Sequence, residues 1–102
     1  MSGFDLSGFH FDGWNLNDTE VDLSESNITS EDLIIIVEKL MQMPNLVTLD
    51  LSSNKITTIE ALSQLTNLTT LYLDSNQIIT VESLGGLIKL TILILMNNQI
   101  TT

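Results

Sequence analysis

The chain has 102 residues and no cysteine, with 13 acidic residues against three lysines (Lys39, Lys55, Lys89), for a formal net charge of −10. One small domain is the most that this length supports. Disulfides, thiol catalysis and thiolate metal sites are excluded, and so acidic a surface repels nucleic-acid phosphates and anionic membranes alike. The N-terminus, MSGFDLSGFHFDGW, lacks the basic start and apolar run of a secretory signal. The longest apolar run, Leu33–Val37, is far short of the roughly 20 residues that span a bilayer. Cytoplasmic synthesis is expected, with non-classical export of an effector as the alternative. The sequons at Asn17, Asn27 and Asn67 then read as unused turn chemistry.

Residues 1–20 run in fives. Leu6, Phe11, Leu16 and Val21 are 5 apart, and Phe4, Phe9 and Trp14 step by the same amount. Written as FDLSG, FHFDG, WNLND and TEVDL, the fives resemble the pentapeptide-repeat family, whose units build a square β-helical coil. Phe4, Phe9 and Trp14 stand where that family usually places a small residue, so an irregular aromatic flap is the second reading. Either way the segment is expected to be an N-terminal cap, with Phe4, Phe9, Phe11 and Trp14 covering the end of whatever core follows.

The next stretch changes beat. VDLSESNI at Val21–Ile28 aligns with LDLSSNKI at Leu49–Ile56, an offset of 28. Between them TSEDLIIIVEKLMQMPN predicts an α-helix. Thr29 or Ser30 is its N-cap, Glu31 and Asp32 occupy its first turn, Leu33, Val37, Leu40 and Met41 line its apolar face, and Pro44 and Asn45 end it. Ser26 stands where the later units carry asparagine, so the corner amide is either shifted to Asn27 or lost.

From Leu46 onward the period is 22. LVTLDLSSNKI, LTTLYLDSNQI and LTILILMNNQI start at Leu46, Leu68 and Leu90, and place Asn54, Asn76 and Asn98 at one position of the unit. A fixed period of this size denotes stacked supersecondary units. The LxL alternation predicts strands, and the asparagine follows where the chain leaves the strand. There a short amide can satisfy backbone groups stranded in a tight buried corner, so Asn54, Asn76 and Asn98 are expected to form a structural ladder. The returning halves, ITTIEALSQLTN and IITVESLGGLIK, carry apolar residues at spacings of three, which suits a helical or 3-10 turn.

These residues closely resemble the leucine-rich repeat family over about Val21 to Thr102. The 22-residue unit is similar to the short class of type-1 phosphatase regulators and bacterial internalins, and the 28-residue unit to the ribonuclease-inhibitor-like class. The resemblance implies an α/β solenoid: a short right-handed coil with a parallel concave β-sheet and a helical or 3-10 convex side. It also implies a protein partner on the concave face. The expected division is a cap at 1–20 and repeats at 21–48, 49–70, 71–92 and a partial one at 93–102. The longer first back segment should relax the curvature between the first and second units.

No chemistry-bearing constellation stands out. His10 is the single histidine, with no partner placed beside it by any repeat. The acidic cluster lacks Ca²⁺-loop spacing and reads as a solvated face. Gly85-Gly86 has no phosphate-loop context and reads as a turn variation, and Met41 and Met43 read as core filler. No enzyme activity, cofactor or metal is expected. The outward strand residues carry more information. They run from Glu20, Asp22, Ser24 and Glu25, through Thr48, Asp50, Ser52 and Ser53, to Thr70, Tyr72, Asp74 and Ser75, and then to Ile92, Ile94, Met96 and Asn97. The face grades from acidic to aliphatic, and exposed apolar clusters mark interaction sites. A non-catalytic protein-interaction module is therefore expected, with Asp50, Thr70, Tyr72, Asp74, Ile92, Ile94 and Met96 as its contact residues. Its partner would carry basic and apolar surface, with neither nucleic acid nor membrane involved. Thr102 follows directly on the strand and corner of the last unit. Two alternatives follow from that: the recognition part of a larger effector or enzyme, or a solenoid that self-associates through an uncapped last turn.

Overall fold

The computed structural model describes residues 15–101. The aromatic fives up to Trp14, with His10, lie outside the described residues. Four strands of three residues each form one parallel sheet: β1 (Glu20–Asp22), β2 (Thr48–Asp50), β3 (Thr70–Tyr72) and β4 (Ile92–Ile94), in the order of the sequence. Pairing keeps the repeat in register, with Val21, Leu49, Leu71 and Leu93 side by side. Beyond the strands the same ladder continues. The amides of Leu23, Leu51 and Leu73 donate to the carbonyls of Asp50, Tyr72 and Ile94 at 2.8, 2.9 and 2.9 Å.

The return path is where sequence period decides structure. Between β1 and β2 runs the α-helix α1 (Ser30–Leu40), whose buried side chains are Asp32, Leu33, Ile36, Val37 and Leu40. Spacings of three and four match 3.6 residues per turn. After β2 the buried positions fall three apart, at Ile56, Ile59, Leu62, Leu65 and Leu68, and after β3 Ile78, Leu84 and Leu87 keep the same phase. That matches three residues per turn, and 3-10 helices form at Glu60–Gln64 and Glu82–Gly86. The core lies between sheet and return segments. Leu49, Leu51, Leu71 and Leu73 meet Ile28, Ile36 and Leu62 there, all fully buried.

Three helical details differ from the sequence reading. The apolar face contains Ile36, while Met41 points out and is 52% exposed. Met41 is the C-cap and is left exposed, and Met43 alone of the two methionines fills core. Asp32 does not belong to a solvated face. It is fully buried as the third residue of a capping box: its Oδ2 accepts from the Thr29 amide and hydroxyl, while its own amide donates to Thr29 Oγ1. Thr29 is thus the N-cap, which frees Ser30 to accept from the amides of Thr57 and Thr58 in the next unit at 2.9 and 3.0 Å. Gly85 and Gly86 end a 3-10 helix rather than forming a turn, where Ser63 and Gln64 end the preceding one.

The corner after each strand is held by an asparagine. Asn54 Oδ1 accepts from the amides of Ser26 and Ile28, and its Nδ2 donates to the carbonyls of Leu23, Leu51 and Ser52. Asn76 repeats the pattern, taking the Ile56 amide and reaching Leu51, Leu73 and Asp74. Asn98 takes the Ile78 amide and reaches Leu73, Leu95 and Met96. Each carboxamide bridges its own unit and the one before. In the first unit the amide is lost rather than shifted: Ser26 Oγ donates to the Ser24 carbonyl, and Asn27 is exposed. The residue before each corner adopts a left-handed conformation, with φ of 52°, 57°, 57° and 59° at Glu25, Ser53, Ser75 and Asn97.

Removing a carboxamide strands several buried partners, each worth roughly 1–3 kcal/mol. Asn54→Ala and Asn76→Ala should each cost about 3 kcal/mol or more in urea denaturation. Asn98→Ala should cost less, because its corner is only half-buried. A separate expectation concerns Gly85 and Gly86, where an added Cβ meets nothing within 4 Å and neither φ is positive. Gly86→Ala should therefore raise stability by about 0.4–1 kcal/mol, through the unfolded chain's lost freedom. A fall in the thermal midpoint would contradict this.

Candidate functional site

The parallel register turns the outward strand residues into three rows. The first runs Glu20, Thr48, Thr70, Ile92, and the second Asp22, Asp50, Tyr72, Ile94. The ladder beyond the strands carries a third, through Ser24, Ser52, Asp74 and Met96. Adjacent strands lie about 4.8 Å apart, so each row spans roughly 14 Å across the sheet. Asp50, Thr70, Tyr72 and Asp74 are half-buried among their neighbours. Ile92 and Met96 are 46% and 64% exposed, and Ile94 between them is half-buried.

One feature of this face went unread in the sequence. Asp22 Oδ1 accepts both the amide and the hydroxyl of Ser24, at 2.9 and 2.7 Å. Asp50 Oδ1 holds Ser52 in the same way, at 2.9 and 2.6 Å. The recurring Asp-Leu-Ser of Asp22–Ser24 and Asp50–Ser52 was the available signal. These bonds fix the two carboxylates side by side in neighbouring strands. The Ser24 hydroxyl and amide also hold the Asp22 carboxyl below its ordinary pKa, so its charge persists into acid. Glu25, Ser53, Ser75 and Asn97, at the end of each outward set, are the left-handed residues of the corners described above.

Among the described residues no group of His, Cys, Asp and Glu could hold a metal ion, and no helix is long and apolar enough to cross a membrane. What the face offers is shape and a gradient from fixed negative charge to apolar surface.

A profile for leucine-rich repeats (two copies) matches residues 19–64, 44–86 and 66–102. None of the curated proteins compared with the chain matches it. Among solved structures, an internalin (InlF) of Listeria monocytogenes strain 4b F2365 is 30% identical, with a TM-score of 0.69 over 82% of this chain and 23% of its own. The internalin C2 (InlC2) of the same strain is 23% identical, with a TM-score of 0.54 over 82% of this chain and 54% of its own. At that lower identity the likeness speaks to fold alone. The chain thus spans about a quarter of one internalin's length and half of the other's. Repeats of this kind, internalins among them, are in general protein-interaction modules and typically non-enzymatic. With its three overlapping repeat matches, in-register parallel strands and corner asparagines, the chain belongs to the leucine-rich repeat family.

Proposed function

We propose that this chain binds a protein partner on its concave sheet and performs no chemistry. The observation that supports it most is the middle row of Asp22, Asp50, Tyr72 and Ile94, which carries charge at one end and apolar surface at the other. Ser-fixed carboxylates pay little side-chain entropy when a cation docks, so the β1–β2 end steers a basic segment. Tyr72, Ile92, Ile94 and Met96 supply the desolvated contact that sets the lifetime of the complex. Thr70 and Asp74 lie between the two regions and provide polar complementarity.

A pull-down with this chain, repeated with an Asp50/Tyr72/Ile94/Met96 surface variant, identifies and tests the partner together. For a captured partner, Ile94→Ser/Met96→Ser should weaken binding by about tenfold or more through faster dissociation. Asp50→Asn should instead lower the association rate and flatten its salt dependence. Affinity unchanged by both, with both variants folded, would dispose of the concave site.

A further inference from the structure

A second apolar surface lies on the opposite side of the solenoid, at the step between the first and second units. At 100° per residue, Ile34 and Met41 fall about 40° and 20° around α1 from Ser30. Ser30 is hydrogen-bonded to Thr57 and Thr58 of the second unit, so this flank of α1 faces that unit. The second unit returns by a 5-residue 3-10 helix where the first uses 11 residues of α-helix. The thinner neighbour leaves the flank uncovered: Ile34 and Met41 are 56% and 52% exposed, whereas Ile35 lies beyond the flank, about 140° from Ser30. Met41 also lines an indentation of about 130 Å³ at the same step, walled by Leu40 and Leu65 and by the polar Gln64, Thr66 and Asn67. Ile34 and Ile35 are poor choices for an exposed helical surface on two counts. A β-branched residue costs helix propensity, and its apolar area is left in water.

The surroundings select the occupant. Glu31 and Glu38 fall about 100° and 80° from Ser30 and border the stripe. Both are exposed, as is Glu60 at the start of the neighbouring 3-10 helix. Lys39 falls on the opposite flank, about 180° from Ser30. A second copy would bring the same acidic border and the same net charge of −10, so like-charge repulsion opposes self-pairing. Ile34 and Met41 are seven residues apart, about 10 Å along α1, which is one heptad. We propose that this ledge docks an amphipathic helix of a partner protein whose apolar stripe is flanked by lysine or arginine. Ile34 and Met41 take the stripe, and Glu31, Glu38 and Glu60 take the flanking cations.

The test uses the intact chain and two synthetic amphipathic peptides of about four helical turns, one with lysines flanking a leucine stripe and one with glutamates there. Binding is followed by NMR chemical shifts and calorimetry. The lysine peptide should bind, with shifts centred on Ile34 and Met41, and the glutamate peptide should bind at least tenfold more weakly. Ile34→Gln/Met41→Gln should weaken the lysine peptide about tenfold while leaving the thermal midpoint unchanged or higher. Ile94→Ser/Met96→Ser should leave it untouched, which separates this ledge from the concave reading. Equal binding of both peptides, no binding of either, or shifts confined to the concave strands would overturn the proposal. Dimerisation in light scattering that the Ile34→Gln/Met41→Gln change abolishes would overturn the assigned occupant.

Discussion

The stack stands on one constraint: backbone groups turned inward at each corner must find partners where water is excluded. A chain that leaves a three-residue strand and doubles back over an apolar core exposes amides and carbonyls that no strand or helix satisfies. A single carboxamide can both donate and accept, and its short stem places it within reach of two consecutive units. Asn54 and Asn76 do this with 8% and 7% exposure, each bonded to main-chain atoms on both sides of the unit boundary. The left-handed residue before each asparagine turns the chain into that corner. Such a conformation costs roughly 1–2 kcal/mol in a non-glycine residue and persists only where the bonds around it are secure.

With the corners fixed, the rest of the unit is free to vary in length, and it does. Twenty-two residues leave room for a 3-10 return with apolar side chains every third position. Twenty-eight admit an α-helix with its own capping box. The strands meanwhile stay in register, because the inward apolar residues of the first three units bury one face and leave the other to solvent. The surfaces proposed for binding are built from residues outside the repeat. They fall in two places: the outward rows of the sheet, and the flank exposed where a thick unit meets a thin one. The two surfaces share an acidic border and differ in shape, one a shallow sheet and the other a ledge beside a helix.

Much of this was legible in the residues. The periods gave the strands, the 3-10 turns and the corner asparagines, because one side chain in the repeat does one job in every unit. What escaped notice involved contacts between units or a choice between equivalent groups. Thr29 and Ser30 are both competent N-caps, and only the position of Thr57 and Thr58 decides that Ser30 serves the next unit. Met41 reads as core by periodicity, yet it follows the last helical residue as the C-cap and is left exposed. Asp32 looks like surface charge in a list of acidic residues, and the capping box buries it. At the concave face, composition showed the gradient from acidic to aliphatic. The serine bonds that fix Asp22 and Asp50 depend on main-chain geometry that composition does not contain.

Native-state hydrogen exchange at the amides of Ile28, Ile56 and Ile78 tests the corner constraint most directly, since these donate to Asn54, Asn76 and Asn98. If the carboxamides hold the stack, Ile28 and Ile56 should exchange only through global unfolding, with opening energies matching the denaturant value, and Ile78 at its half-buried corner should open more readily. Rapid exchange at Ile28 and Ile56 while the strand amides of Leu49 and Leu71 stay protected would contradict it.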